Sequence, residues 1–240
     1  MKRRTFFFKV GSTFDLLGRY REAETMLRRA LERREKVLGP DHPDTLSSVN
    51  ALGCVLESQG QYEEAKRMIR RALEERERML GPDHPDTLMS VNNLGNVFES
   101  QGQYEDAEAM YRRALEASEK VLGSHHPETL TTVNNLGNVF ESQGRYEEAE
   151  AMYRRALEAR EKVLGPEHPN TLNSINSLGV VLKNQGQYKE AEAMFRRALK
   201  GREKVLGPDH PNTSSALNCL AEVAEKAKAD KEFGRIRSRI

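Results

Sequence analysis

Apolar side chains recur at helical spacing between Pro85 and Gly123, a stretch that contains one complete copy of the pattern. In its first half they occupy one helical face, at Leu88, Val91, Leu94, Gly95 and Phe98. In its second half they recur at Ala107, Met110, Tyr111, Ala114, Leu115, Val121 and Leu122. Gly102 separates the two halves and Gly123 ends the second, as expected of the left-handed residue that follows a helix. The pattern predicts two α-helices joined by a short turn.

The starts of both helices are also marked. Pro85 suits the first helical turn, where its missing N–H would have no partner. Asp83 or His84 is expected to cap this helix, and Asp86 places negative charge at the positive end of the helix dipole. The second helix is predicted to begin near Tyr104. No part of the chain shows a strand pattern, so the predicted fold class is all-α.

The pattern returns every 42 residues. Histidine followed by proline marks each copy, at His42, His84, His126, His168 and His210. Residues 84–125 and 126–167 differ at only 8 of 42 positions. Such a period indicates a repeat array, in which each repeat buries a thin apolar layer against its neighbours. A hydrophobic fraction of 37% is sufficient for that architecture.

The repeat boundaries predict a single array over residues 1–240. Its parts are an atypical N-terminal repeat (1–39), full repeats (42–81, 84–123, 126–165 and 168–207), a C-terminal cap helix (210–229) and a tail (230–240). Phe6, Phe7 and Phe8 make the first helix atypical or truncated. Ser214 and Lys228 replace a core leucine and a turn glycine, which predicts a solvating last helix without a partner.

Composition excludes several classes of function. Lys and Arg number 38 against 37 Asp and Glu, giving a formal charge of +1 and no basic footprint for nucleic acid. No segment approaches the roughly 20 apolar residues that span a bilayer. The apolar run at Phe6–Phe8 is too short for a secretory signal. Cys54 and Cys219 lie far apart in sequence, which favours a reduced, cytoplasmic protein.

Neither catalytic nor metal-binding residues are predicted. The chain contains no Gly-rich phosphate loop, nucleophile elbow or paired-carboxylate cleft. Adjacent repeats should hold their histidines about 10 Å apart, too far for shared coordination at about 2.0–2.1 Å per nitrogen. His125 beside His126 is the one local exception. The chain is therefore predicted to be non-catalytic, with no metal and no cofactor.

Arginine pairs recur on the second helix of each repeat, as at Arg112-Arg113. Glutamates such as Glu116 follow three or four residues later, where ion pairing along a helix is expected. The pairs therefore predict a solvated, salt-bridged outer face rather than a basic binding stripe.

The repeat resembles the tetratricopeptide repeat. The resemblance is carried by Leu94-Gly95, Phe98, Gly102, Tyr104, Ala107, Tyr111 and Ala114-Leu115. The usual unit has about 34 residues, and the longer form seen here is similar to the repeats of kinesin light chains and of fungal and bacterial NTPase-receptor tails. The resemblance spans roughly residues 10–224. It implies an α-α superhelix of antiparallel helix pairs whose first helices line a concave face.

The resemblance also implies a peptide-binding groove on that face. The corresponding positions are Asn50, Asn92, Asn93, Asn96, Glu99, Asn134, Asn135, Asn138, Glu141, Asn176 and Lys183. Asparagine is a poor residue for a helix interior, but its amide can donate to and accept from an extended peptide backbone. The alternative is that these asparagines bond across neighbouring helices and lock the repeat spacing.

Groove charge limits the class of ligand. Chaperone-tail-binding members of the family clamp a terminal carboxylate with lysines and an asparagine, but the lysine register here holds Asn92 and Asn134. Kinesin light chains recognise peptides with aromatic and acidic residues, helped by basic groove residues. Here the comparable positions include Glu99 and Glu141, with Lys183 as the positive charge. Electrostatic complementarity therefore favours a neutral or basic ligand.

These observations predict a non-catalytic protein–protein interaction scaffold that binds an extended peptide or partner segment in the asparagine-lined groove. The alternative is a structural or regulatory repeat array of a larger NTPase-type receptor that acts through self-association of the array ends. Neither a nucleic acid nor a membrane is expected as a partner.

Overall fold

The computed structural model describes residues 19–237, with side chains as far as residue 228. These residues form the helices α1 (Tyr20–Leu38), α2 (Pro43–Ser58), α3 (Tyr62–Leu80), α4 (Pro85–Ser100), α5 (Tyr104–Val121), α6 (Pro127–Ser142), α7 (Tyr146–Leu164), α8 (Pro169–Asn184), α9 (Tyr188–Leu206) and α10 (Pro211–Arg237). No strand occurs within this described part, and the predicted all-α class is confirmed. The predicted contribution of Phe6, Phe7 and Phe8 lies outside the described residues.

Helix contacts divide the chain into two compact units, residues 1–124 and residues 125–240. In the first unit α1 packs against α2, α2 against α3, α3 against α4 and α4 against α5, and α2 also contacts α4. In the second unit α6–α10 pack in the same way, and α8 contacts both α6 and α10. Helices that begin with proline are called first helices, and those that begin with tyrosine are called second helices.

A histidine caps the start of the first helices. The backbone N–H of Asp86 donates to Nδ1 of His84 over 3.1 Å, and that of Asn170 donates to His168 over the same distance. Proline then occupies the first helical position. Of the two predicted caps for α4, the structure selects His84 rather than Asp83. The Nδ1 atom is the hydrogen-bond acceptor in both histidine caps.

Glycine shapes the turn after each first helix. Gly102 adopts a φ of 73°, and the N–H of Gln103 donates to the carbonyl of Phe98 over 2.9 Å. This is the Schellman arrangement, which places the next helix antiparallel to the last. The predicted turn glycine is confirmed.

A second glycine lets two helices approach closely. A Cβ on Gly95 would lie 2.6 Å from Cε1 of Tyr111, and one on Gly137 would lie 2.7 Å from Cε1 of Tyr153. An aromatic ring of the second helix therefore lies directly against the glycine of the first helix. Any side chain larger than hydrogen would push that ring away.

The buried faces follow the predicted spacing, with one error. Leu88, Val91 and Leu94 are buried on α4, and Ala107 is buried on α5. Val121 was predicted to join this core but is 49% exposed, because it lies in the last turn of α5. The core therefore ends one turn before the helix does.

Outer-face arginines form ion pairs, but not with the predicted partners. Arg112 pairs with Glu108, four residues before it, at 2.8 Å. Arg113 pairs with Glu77 on the preceding second helix, and Glu116 pairs with Lys120 instead. Such exposed pairs contribute about 0–1 kcal/mol each.

The last helix is longer than predicted. It was expected to end near residue 229, but α10 continues to Arg237. Alanine, glutamate and lysine, which are good helix formers, fill most of the sequence from Ala221 to Glu232. On this helix Ser214 is exposed and Leu217 is 53% exposed.

Candidate functional site

The residues predicted to bind a peptide lie on one side of the first helices, here called the first-helix face. Half-buried on this face are Asn92, Asn93, Asn96, Glu99, Asn134, Asn135, Asn138, Glu141, Asn176 and Lys183. They form two sets, one on α4 in the first unit and one on α6 and α8 in the second unit. Helical spacing keeps each set on the side opposite the apolar face.

Asn50 does not belong to this accessible surface, and its prediction as a ligand-binding residue is wrong. Only 2% of Asn50 is exposed, because α2 packs against α1, α3 and α4. Its Oδ1 is buried without a hydrogen-bond partner among the described residues. A peptide on the first-helix face cannot reach this amide.

Asn134 and Asn176 each use their side-chain oxygen to bond to a neighbouring helix. Ser174 on α8 donates to Oδ1 of Asn134 on α6 over 3.2 Å. Asn176 Oδ1 accepts from Arg202 of α9 over 3.3 Å. At this register the structure favours the alternative hypothesis, in which asparagines bond across neighbouring helices and fix the repeat spacing.

Buried arginines add further hydrogen bonds between neighbouring helices, and we call these bonds the arginine lock. Arg160 is 4% exposed and donates to the carbonyl of Asn170 over 3.1 Å and to Ser174 Oγ over 2.6 Å. It also donates to the carbonyl of Leu130 over 3.1 Å, so one guanidinium joins α7 to α6 and α8. These oxygens are neutral, and burial lowers the pKa of Arg160 to about 10.

The same role recurs at Arg34, Arg76 and Arg202, which donate to the backbone carbonyls of Asp44, Asp86 and Asn212. The burial of these arginines was not predicted from the sequence, although their helical spacing from core residues indicates it. Arg76 follows Ala72 and Leu73 at helical spacing, on the face that the core occupies.

A tyrosine connects two predicted residues in each unit. Tyr153 is fully buried, and its hydroxyl lies 2.8 Å from Asn138 Oδ1 and 3.0 Å from Glu141 Oε2. The sequence placed Tyr153 in the apolar face without predicting these bonds. We call this group the tyrosine triad.

The first unit contains the equivalent triad. Tyr111 lies 2.6 Å from Asn96 Oδ1 and 2.7 Å from Glu99 Oε2. Burial raises the pKa of Glu99, and Glu57 raises it further by repulsion. Burial likewise raises the pKa of Glu141 in the second unit.

Lys183, the predicted cation of the face, is already paired. Its Nζ lies 3.0 Å from Glu222 of α10, and 14% of its side chain is exposed. Nearby, Asn184 donates to Glu141 Oε1 over 3.3 Å. An acidic ligand would therefore have to compete with Glu222 for Lys183.

The described residues contain neither a cluster of metal ligands nor a membrane-spanning helix. Among them, no three histidine, cysteine, aspartate or glutamate side chains are arranged to hold a metal ion. Within the same part of the chain, no helix combines the length and apolarity needed to cross a membrane.

Comparison with known proteins identifies the repeat. The family model of the tetratricopeptide repeat matches residues 8–78, 50–120, 90–162, 128–204 and 176–232. No curated protein matches the sequence significantly.

Solved structures share the fold. A kinesin light chain-type protein of Podosopora anserina with nearly identical TPR-like repeats is 24% identical, with a TM-score of 0.65 over 85% of this chain and 97% of that one. BtubC (BKLC) from P. vanneervenii is 22% identical, with a TM-score of 0.75 over 92% of this chain and 91% of that one. These neighbours are kinesin light chain-like, as the sequence resemblance implied. Folds of this kind are generally non-catalytic scaffolds for protein–protein interaction. The family match over most of its length shows that the chain belongs to the tetratricopeptide repeat family.

Proposed function

We propose that the protein is a non-catalytic scaffold that binds an extended peptide or partner segment on its first-helix face. The observation that carries the proposal is a pair of half-buried amides, one helical turn apart, in each unit: Asn93 and Asn96 on α4, Asn135 and Asn138 on α6. Amides can pair with peptide N–H and C=O groups whatever the peptide's sequence.

The proposal divides the asparagines by register. Asn134 and Asn176 are committed to bonds between helices, so their contribution to binding is indirect. Asn93 and Asn138 lie at registers that the arginine lock does not use, and we assign the ligand to those registers.

Charge supports a neutral or basic ligand. Lys183 is neutralised by Glu222, while Glu99 and Glu141 stay half-buried on the face. A basic side chain of the ligand would find carboxylates there, whereas an acidic one would meet repulsion.

A peptide-array screen followed by affinity measurement tests the proposal. Asn93→Ala combined with Asn135→Ala should weaken the best array peptide at least tenfold and should lower the thermal midpoint less than Asn134→Ala does. Asn134→Ala is the matched control, and it should lower the midpoint because Ser174 loses its acceptor. Absence of any binding peptide class, or full binding by the double variant, would refute the proposal.

Self-association through the array ends is the competing hypothesis, and it would place the chain in a larger receptor. Light scattering over a range of concentrations separates the two. A strictly monomeric chain that still binds its peptide supports the scaffold proposal, whereas concentration-dependent growth without peptide binding supports self-association.

A further inference from the structure

The tyrosine triad of the second unit poses a problem of hydrogen counting. The hydroxyl of Tyr153 lies within hydrogen-bond distance of both Asn138 Oδ1 and Glu141 Oε2. A phenol has one hydrogen to donate, whereas a carbonyl oxygen and an ionised carboxylate can only accept. One of the two neighbours must therefore supply a hydrogen itself.

Two arrangements satisfy the triad. In the first, Glu141 is protonated and donates to the oxygen of Tyr153, which donates to Asn138 Oδ1. The amide nitrogen of Asn138 is then the end turned away from the tyrosine. In the second, Glu141 is ionised and accepts the tyrosine hydrogen. Asn138 must then be turned over, so that its Nδ2 donates to Tyr153 and its Oδ1 is turned away. The two arrangements differ by one proton on Glu141 and by rotation of one amide, whose orientation is inferred from such networks.

The neighbouring groups make both arrangements accessible. From α8, Lys183 stabilises the ionised form of Glu141 and Asn184 donates to its other oxygen. Burial works in the opposite direction and raises the pKa of Glu141. On α6 itself, Asn134 Nδ2 lies 3.5 Å from Asn138 Oδ1, a long contact that only weakly favours the first arrangement.

The first unit repeats the same geometry around Tyr111, with Asn96 at 2.6 Å and Glu99 at 2.7 Å. The charged neighbour that faces Glu99 there is Glu57 of α2, which favours the protonated form. Two triads in separate units with the same atoms in contact indicate a recurring arrangement rather than an isolated contact.

Repeats 42–81 and 168–207 lack both the tyrosine and its asparagine partner. Phe195 takes the place of Tyr153 in repeat 168–207, and there Val180 and Lys183 replace the asparagine and the glutamate. Ile69 occurs in repeat 42–81, where Cys54 replaces the asparagine. The tyrosine hydroxyl and the asparagine therefore occur together within this chain.

We propose that Tyr153 is a positioning residue that transmits the protonation state of Glu141 to the amide of Asn138. Protonated Glu141 leaves an amide N–H turned away from the tyrosine, and ionised Glu141 leaves a carbonyl oxygen there. Tyr111 acts in the same way on Asn96. The consequence for a ligand rests on the proposed function: rising pH converts this position from one that binds carbonyl groups to one that binds N–H groups, including those of lysine and arginine.

Nuclear magnetic resonance of the full-length, ligand-free chain with 15N-labelled asparagine tests the relay directly. The side-chain amide signals of Asn138 are assigned by their loss in Asn138→Ser and then followed between about pH 4 and 8, the range that brackets a raised glutamate pKa. We expect them to shift along one titration curve in the parent chain. In Glu141→Gln that curve should be absent.

Tyr153→Phe is the decisive variant, because Phe195 shows that the fold accepts phenylalanine at this register. The Asn138 shift should fall at least severalfold in this variant, while Asn176, which is bound to Arg202, stays unchanged throughout as an internal control. An equal titration in Tyr153→Phe, or no titration in the parent chain, would overturn the proposal. Since no ligand is present, failure of the relay is distinguishable from failure of peptide binding.

Discussion

Two consecutive repeats of the second unit, 126–165 and 168–207, share a scaffold and differ on their first-helix face. His126 and His168 both cap a first helix through Nδ1. A buried arginine, Arg160 or Arg202, ties each repeat to the first helix that follows. The backbone therefore has the same construction in both repeats.

The face is different. Repeat 126–165 contains the polar triad of Asn138, Glu141 and Tyr153, whereas repeat 168–207 has apolar Val180 and Phe195 at two of those registers. Its third position, Lys183, turns to Glu222 of α10. Between these two repeats the capping histidine and the buried arginine are kept, whereas all three residues at the registers of the triad change. Function is expected where the repeats are allowed to differ.

The largest expected effect tests the shared scaffold. Arg160→Ala should lower the free energy of unfolding by about 3 kcal/mol, because buried oxygens on α6 and α8 lose their donor and a cavity remains. Urea denaturation measures the change. Arg160→Met, which keeps the aliphatic packing, should lose less, and an Arg160→Ala variant as stable as the parent would contradict the role of the lock.

A reciprocal exchange tests the difference between the faces. Phe195→Tyr should cost about 1–3 kcal/mol, because Val180 offers the new buried hydroxyl no partner at the register of Asn138. Tyr153→Phe should cost only about 1 kcal/mol, since it removes hydrogen bonds without adding a polar group. Thermal unfolding of both variants checks the order. Equal losses would mean that the triad is not a matched polar network.

Replacing the glycine that lies against the aromatic ring should give a smaller difference in stability between the two repeats. A Cβ on Gly137 would lie 2.7 Å from Tyr153, whereas one on Gly179 would lie 2.9 Å from Phe195. Overpacking lowers the free energy of unfolding by about 1–3 kcal/mol. Alanine has a higher helix propensity than glycine, which raises that free energy by about 1 kcal/mol. Gly137→Ala should therefore lose about 1 kcal/mol in chemical denaturation. Gly179→Ala should change less, and the reverse order would contradict the packing described for the two rings.

The smallest effect is a pH dependence. The pKa of Glu141 is raised in the folded chain by burial. Its contribution to stability is therefore complete below the unfolded value of about 4.3 and is lost as pH rises through the folded pKa. Glu141→Gln should flatten this part of the stability profile. A profile identical to that of the parent chain would show that Glu141 titrates as an exposed residue does.

The sequence predicted the periodic features of the fold well. Proline and histidine at Pro85 and His84, and glycine at Gly102, act locally, so their consequences can be deduced without knowing the neighbours. The 3.6-residue spacing placed Leu88 and Val91 in the core for the same reason. Errors began where an element ends or meets another one, as at Val121 and in α10, which continues through Gly234 to Arg237.

The candidate site was predicted less completely because it depends on contacts between helices. The helical spacing predicted that Asn134, Asn138 and Asn176 lie on one face. It did not predict which of them bond to neighbouring helices. Arg160 was missed because a charged residue at a core register looks like a solvated one until its buried partners are seen. The burial of Asn50 likewise depends on three helices that pack around α2.

We expect the scaffold and the ligand face to be separable, and a triple variant of repeat 126–165 tests this expectation. Asn138→Val and Tyr153→Phe give repeat 126–165 the residues that repeat 168–207 has at those two registers, and Glu141→Gln removes the carboxylate of the triad. We expect this triple variant to remain folded, with a cooperative thermal transition, and to bind the best array peptide at least tenfold more weakly than the parent chain. Unchanged peptide affinity, or loss of the folded state, would contradict this expectation.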